Sequence, residues 1–302
     1  MVLWGVGEAQ VAIEPRARPA APEPPRSEAS LRADSNLVLV PVTVCDPLNR
    51  PVTSLDREHF RVFDDSVEQT VTQFAMDDEP VAVGLVFDTS GSMQPRMRLA
   101  RKAAAAFFST GNAEDEFFLV EFNDKPRVAV PLTRDAEQIE NRLALSAARG
   151  RTALLDAIVL ALHEMKKSHR NRKALLVVSD GGDNISRYAP AELKSLVRES
   201  DVLIYAIGIY GGGATPEESA GPALLREVAE ETGGRHFAAE ATDLPDIAAT
   251  IGLELRNRYV IGFSPTNQLR DGRYHPLSVK LVPPRGLPPL RAFWRRGYYA
   301  PQ

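Results

Sequence analysis

The stretch VAVGLVFDTSGSMQPRM, residues 81–97, decides the fold of this chain. It begins as a nearly continuous apolar run, which is typical of a parallel strand covered on both faces. The run ends at Asp88, and Ser90 and Ser92 follow at alternate positions. Alternate residues of an extended segment point the same way, so these three oxygen-bearing side chains can face one point. The sequence therefore predicts a buried strand with a polar site at its carboxyl end.

Around this stretch, the segment 79–256 alternates between apolar strand patterns and amphipathic helix patterns. The predicted strands are 81–88, 115–122, 172–180, 201–210 and 234–240, and the predicted helices are 97–110, 135–148, 153–168, 189–200, 221–233 and 243–258. The segment 123–132 follows its strand too closely for a helical crossover, and its prolines suit an edge. We expect an α/β fold with a Rossmann-like, doubly wound sheet that is mostly parallel and has one antiparallel edge strand.

Strand patterns without helices lie on both sides of this segment. A hairpin is predicted around Asp64, Asp65 and Ser66, where two alternating runs meet. Each flanking set of strands is too small to be stable alone. We therefore predict that residues 35–78 plus 257–302 form one small all-β sandwich, into which the α/β domain is inserted. The alternative is two separate flaps packed on the α/β domain.

The first 34 residues carry a different composition. Residues 1–9 are apolar and end in small residues, as at the end of an export signal. Residues 10–34 are rich in proline, alanine and charge, which predicts a disordered linker. A terminus that is disordered throughout is the alternative. The signal interpretation predicts a secreted, periplasmic or cell-surface protein.

Bulk composition excludes several classes of function. The chain has 302 residues and a net charge of −4, with no long basic stripe, so binding to nucleic acid is not expected. No run of ~20 apolar residues predicts a transmembrane segment. The single cysteine, Cys45, lies in an apolar run and is expected to be a buried structural thiol.

A second acid and a threonine complete the predicted site. Asp180 ends another apolar strand, and Thr152 lies in the glycine-flanked loop ARGRTALLDAI, residues 148–158. Ligands bind at the carboxyl ends of the strands in open α/β sheets, where these side chains can meet. Carboxylates and hydroxyls suit a hard divalent ion, so Mg²⁺ is predicted first, with Mn²⁺ or Ca²⁺ as alternatives. For the D-x-S-x-S motif alone, an N-capped helix start is the competing explanation.

These motifs resemble the metal-ion-dependent adhesion site of von Willebrand factor type A domains. The resemblance covers roughly residues 79–256, and the flanks resemble a bacterial subfamily of such proteins that is often exported. It implies metal ligation, directly or through water, by five residues: Asp88, Ser90, Ser92, Thr152 and Asp180. It also implies a ligand-binding rim formed by Gly91, Met93, Arg151 and Gly181.

The resemblance implies a binding module that recognises an acidic side chain of a protein or peptide partner. The neutral hydroxyls leave the charge of the ion incompletely cancelled, so an incoming carboxylate gains a strong contact. Two alternatives remain open: a scaffold subunit whose metal is structural, and a metal-dependent hydrolase. The hydrolase is disfavoured because no G-x-S-x-G elbow is present and no histidine accompanies Ser90. No catalytic residue is predicted.

Overall fold

The computed structural model describes residues 37–77, 79–210, 216–239, 243–267, 271–282, 284, 286 and 288–301. The predicted export signal and linker, residues 1–34, lie outside the described residues. Four strands precede the α/β region: β1 Val38–Cys45, β2 Phe60–Asp64, β3 Val67–Gln69 and β4 Val71–Asp77.

The α/β region contains six strands and six helices among its described residues. Its strands are β5 Val81–Asp88, β6 Glu116–Phe122, β7 Arg127–Thr133, β8 Arg172–Ser179, β9 Leu203–Ile209 and β10 His236–Ala239. Its helices are α1 Met97–Phe108, α2 Ala136–Ala144, α3 Leu154–Met165, α4 Pro190–Glu199, α5 Pro216–Thr232 and α6 Leu244–Arg256. Four strands follow: β11 Arg258–Phe263, β12 Tyr274–Leu281, β13 Arg291–Trp294 and β14 Gly297–Tyr299.

The central sheet is six-stranded, in the order β10-β9-β8-β5-β6-β7. Every neighbouring pair is parallel except β6 and β7, so β7 is the predicted antiparallel edge. Helices α1, α2 and α6 cover one face of the sheet, and α3, α4 and α5 cover the other. All eight residues of β5 are buried, because this strand lies in the interior of the sheet between β6 and β8. The predicted doubly wound α/β fold is confirmed.

The flanking strands form two four-stranded antiparallel sheets, β13-β1-β11-β4 and β14-β12-β2-β3. Each sheet combines strands from before and after the α/β region, and the two share one apolar core cluster. The sandwich built from both ends of the chain is therefore confirmed, rather than two flaps. Arg258 of β11 pairs with Asp77 of β4, so the two strands that border the α/β region are neighbours. Residues 36–302 form one compact unit, and the domain boundaries stay a prediction.

A buried ion pair lies where the sandwich meets the α/β region. Arg235, next to β10, pairs through Nη1 with Oε1 of Glu254 on α6. Its guanidinium lies between the rings of Phe237 and Phe293, 4.4 and 4.5 Å from their centroids. Cys45 of β1 donates from Sγ to the same carboxylate oxygen at 3.4 Å. Cys45 is thus the expected buried thiol.

No helix of the described residues has the length and apolar character needed to cross a membrane.

Candidate metal-binding site

Asp88 ends β5 inside the molecule with both carboxylate oxygens already oriented. Its Oδ1 accepts the backbone N–H of Ser90 at 2.8 Å, and its Oδ2 accepts the hydroxyl of Ser179 at 2.6 Å. Burial, followed by the charge of Asp180, raises the pKa of Asp88 to about 7. Ser179 is the last residue of β8, so the pairing of β5 with β8 holds this carboxylate in place. Burial and the charge of Asp180 thus favour the protonated form of Asp88, whereas its hydrogen bonds and any nearby positive charge favour the ionised form.

The two serines follow in a tight turn. Ser90 is buried and Ser92 is half-buried, and their Oγ atoms lie 3.1 Å apart. Ser90 precedes a short 3₁₀ turn, Gly91–Met93, but its side chain does not cap that turn. The residue before α1, Arg96, makes no side-chain capping bond either. Neither Ser90 nor Arg96 therefore caps a helix start through its side chain, and the one backbone N–H that the motif satisfies is that of Ser90, bonded to Asp88.

The threonine loop lies against the serine turn. The backbone N–H of Gly91 donates to the carbonyl of Gly150 at 3.0 Å. Gly150 has a φ of +78°, a backbone conformation that glycine adopts without strain and other residues rarely do. Thr152 follows and is 4% exposed, and its N–H donates to Oδ1 of Asn184 at 3.0 Å. Thr152 is thus held at the same end of the sheet as the serines.

Asp180 follows β8 and is joined to the serine turn by Arg96. Nη1 of Arg96 donates to Oδ2 of Asp180 at 3.3 Å and to the carbonyl oxygen of Ser92 at 2.9 Å. Asp180 is 2% exposed, and the Arg96 side chain is 18% exposed. Neither Arg96 nor Ser179 was predicted from the sequence as a contributor. The polar Ser179 at the end of an apolar strand was the available signal for the second of these.

The rim predicted from the sequence is only partly at the surface. Gly91 and Arg151 are exposed, and the Arg151 N–H donates to Oδ1 of Asp124 at 3.0 Å. Met93 is 0% exposed and belongs to the apolar core, so its placement on the rim is wrong. Gly181 is also buried, because its backbone packs against Gly221 of α5. Met93 and Gly181 therefore contact the interior of the protein rather than solvent.

The chemistry of the donor set fits a hard cation. The predicted ligands contribute two carboxylates and three hydroxyls, and neither sulphur nor imidazole. Two of them, Asp88 and Asp180, are buried carboxylates whose charges oppose each other. The neighbouring guanidinium of Arg96 contacts only Asp180 of the two. A divalent ion between the acids would favour the charged form of both.

Comparisons with known proteins agree with this architecture. Residues 83–182 match the family model of the von Willebrand factor type A domain. A von Willebrand factor type A structure from Catenulispora acidiphila gives a TM-score of 0.53 at 15% identity, covering 88% of this chain and 75% of that one. That likeness shows the fold alone.

Two further solved structures are similar at lower TM-scores. An aerotolerance-related membrane protein from Bacteroides fragilis NCTC 9343 gives 0.48 at 21% identity, covering 58% of this chain and 98% of that one. The vWF domain of the type V pili tip protein Mfa5 from Porphyromonas gingivalis gives 0.47 at 14% identity, covering 60% and 98%. No curated protein matches this chain in sequence.

Proposed function

We propose that the chain binds partners through a divalent cation, because residues 83–182 match the family model of the von Willebrand factor type A domain. The partner is a protein or peptide that presents an aspartate or glutamate. The ion is Mg²⁺ in the first instance, with Mn²⁺ and Ca²⁺ as alternatives. One observation carries the proposal: the serine turn, the threonine loop and the ends of β5 and β8 meet at one edge of the sheet.

The proposed ligands contribute two kinds of oxygen atom to the ion. Ser90, Ser92 and Thr152 offer neutral oxygens, and Asp88 and Asp180 offer charge, directly or through water. Asp88 already accepts two hydrogen bonds, which favours contact through water. When bound, the cation supplies an uncancelled positive charge that attracts an incoming carboxylate. Arg96 holds the serine turn against Asp180 and so keeps the donors together.

Export would place such a module where adhesion partners are met. We propose that the chain acts in a secreted, periplasmic or cell-surface setting, in keeping with the composition of its first nine residues. We propose no enzymatic activity, because the donor set lacks a nucleophile paired with a base.

Calorimetric titration with Mg²⁺ tests the site. We expect the wild-type chain to bind Mg²⁺, the variant Ser90→Ala to lose this binding, and the variant Ser195→Ala to keep it. Ser195 is the matched control because its hydroxyl is exposed on α4 and bonds only to the carbonyl of Ala191. Far-UV circular dichroism would establish that each variant is folded. Wild-type affinity in Ser90→Ala would refute the site.

Selection of displayed peptides tests the partner chemistry. The full chain would be immobilised and panned in Mg²⁺ and again in EDTA, alongside Ser90→Ala. We expect peptides selected only in Mg²⁺ to require an acidic residue, shown by replacing that residue with its amide. If no peptide depends on Mg²⁺, and chelation instead lowers the melting temperature, the scaffold alternative with a structural metal is favoured.

A further inference from the structure

A second cluster of ionisable groups lies in the sandwich, on different strands from the site above. It consists of Asp64, Asp65 and His275, here called the hairpin cluster. Asp64 ends β2, Asp65 begins the turn to β3, and His275 lies on the neighbouring β12. His275 Nδ1 is 2.7 Å from Asp65 Oδ2 and 3.8 Å from Asp64 Oδ1. One ligand atom from each residue lies within 4.8 Å of the others.

Two buried atoms of this cluster lack hydrogen-bond partners among the described residues. Asp64 is 1% exposed, and its Oδ1 has none. His275 is 4% exposed, and its Nδ1 has none either, because the short contact to Asp65 does not have hydrogen-bond geometry. A buried polar atom without a hydrogen-bond partner destabilises the folded state, and a bound ion that contacts the atom is one way to remove that cost. These two atoms lie 3.8 Å apart.

The other atoms of these two side chains are held by hydrogen bonds. The hydroxyl of Tyr298 donates to Asp64 Oδ2 at 3.1 Å, and its ring stacks on the imidazole with centroids 5.5 Å apart. His275 Nε2 lies 3.3 Å from Asp271 Oδ1. When Nε2 carries the proton toward Asp271, Nδ1 presents its lone pair toward the two hairpin carboxylates. This is how metal-binding histidines are usually oriented.

The charge balance of the cluster also favours a cation. Three carboxylates surround one imidazole. Arg273 pairs with Asp271 at 3.9 Å, but no lysine or arginine of the described chain forms an ion pair with either hairpin acid. A protonated His275 would leave negative charge in excess, and Asp64 Oδ1 would still lack a partner.

We propose that the hairpin cluster binds a divalent transition-metal ion of the Zn²⁺ class. Its ligands would be Asp64 Oδ1, Asp65 Oδ2 and His275 Nδ1. Bonds of about 2.0–2.1 Å in a tetrahedral site put neighbouring ligand atoms about 3.3 Å apart, and the two separations of 2.7 and 3.8 Å bracket that value. An imidazole ligand favours Zn²⁺ over Mg²⁺. The Asp65 side chain is 42% exposed, which leaves an approach for water as a fourth ligand.

Such an ion would fasten strands from the two ends of the chain. β2 precedes the α/β region and β12 follows it, and they are neighbours in one sheet. A structural metal contributes its binding free energy to folding, so Zn²⁺ should raise the melting temperature of the chain.

Titration of the chelator-treated full chain with Zn²⁺, and with Co²⁺ as a coloured probe, tests the proposal. In the Ser90→Ala background, which disables the site proposed for Mg²⁺, we expect one equivalent of Zn²⁺ to bind, and Co²⁺ to give the visible absorption of four-coordinate geometry. Asp65→Asn and His275→Gln should lose both signals. Tyr298→Phe should weaken binding by about 10–100-fold, because it removes a hydrogen bond to a ligand. The exposed His163→Gln, on α3, is the matched control and should bind as the wild type does.

The variant Ser90→Ala separates this site from the one proposed for Mg²⁺, whose oxygen donors can also take Zn²⁺, and it should retain the equivalent of Zn²⁺ held by the hairpin cluster. Circular dichroism would exclude unfolding as the cause of any loss. The proposal is overturned if the wild type binds no Zn²⁺, or if folded Asp65→Asn and His275→Gln both bind it normally. It is also overturned if the His275 imidazole resonances titrate with pH and do not respond to added Zn²⁺, since the cluster is then an imidazolium ion pair.

Discussion

Replacing Arg235 with methionine should destabilise the chain by about 3–5 kcal/mol, the cost of leaving one partner of a buried ion pair alone. Glu254 is 0% exposed, and its Oε2 already lacks a hydrogen-bond partner among the described residues. Loss of Arg235 would remove the principal positive charge that faces this carboxylate. Methionine preserves apolar contact with Phe237 and Phe293, so the measured loss reports on the charge more than on a cavity.

The double variant Arg235→Met/Glu254→Gln separates the ion pair from the packing. Removing both charges leaves no uncompensated ion, so the double variant should be at least about 2 kcal/mol more stable than Arg235→Met alone. Urea unfolding followed by circular dichroism gives these free energies. A double variant no more stable than Arg235→Met would refute the reasoning, as would a cost of less than about 1 kcal/mol for Arg235→Met.

The cost of Arg235→Met should also depend on pH. Burial raises the pKa of Glu254 above its ordinary value of 4.5, and Arg235 opposes this shift. Without Arg235 the pKa of Glu254 rises further. A raised carboxyl pKa means that stability is fully present below the unfolded-state pKa and is lost as the pH rises through the folded-state pKa. The cost relative to wild type should therefore be smallest below the ordinary pKa of 4.5 and should grow as the pH rises above it. A cost that grows on acidification would contradict this.

Three further predictions concern other buried positions. Gly84→Ala should cost about 1–3 kcal/mol, because the new Cβ would lie 2.2 Å from the Phe118 ring, as thermal unfolding would measure. Cys45 should not react with a thiol reagent at about pH 8 until the chain unfolds, since burial and a neighbouring carboxylate raise its pKa to about 12. Asp115→Ala should cost about 1–3 kcal/mol in urea unfolding, because its buried carboxylate accepts the backbone N–H of Val81 at 2.9 Å.

Each of these three predictions has a control variant or an outcome that would contradict it. Gly182→Ala brings its Cβ no closer than 3.6 Å to Asp180 Oδ1 and should be nearly neutral in stability. Reaction of Cys45 at the same rate in native and unfolded chain would contradict its burial. A wild-type unfolding midpoint for Asp115→Ala would mean that the start of β5 is anchored in some other way.

Much of the fold was predictable because local patterns and tertiary contacts agree. The apolar run that became β5 is buried throughout, and the turn predicted around Asp65 and Ser66 has positive φ at both residues. Helix ends were less predictable. Helix α5 begins at Pro216, whereas a start at Gly221 was predicted from the sequence. The prediction was misled because Pro222, inside the helix, gives the same signal of a first helical turn as Pro216 does.

The helix pattern of α2 continues in the sequence beyond the helix itself. The helix ends at Ala144, and Leu145 is 78% exposed. The backbone N–H of Arg149 donates to the carbonyl of Thr89 at 2.8 Å, next to the serine turn, instead of to a carbonyl one turn earlier in a continued helix. The sequence pattern contains no information about that partner.

The candidate site was predictable where spacing alone decides geometry. Ser90 and Ser92 share a direction because they alternate, and Asp88 ends its strand. The contribution of Ser179 depends on β8 lying beside β5, which spacing does not encode. Met93 was misplaced because the turn after Ser92 brings the next side chain back into the core.

The pairing of Asp77 with Arg258 has a consequence for how this chain can be rebuilt. The two cut points of the α/β region are cross-strand neighbours, so a short reverse turn could join them after excision of everything between. The sandwich could then be produced without the α/β region, and an unrelated domain whose two termini lie close together could be inserted at the same position.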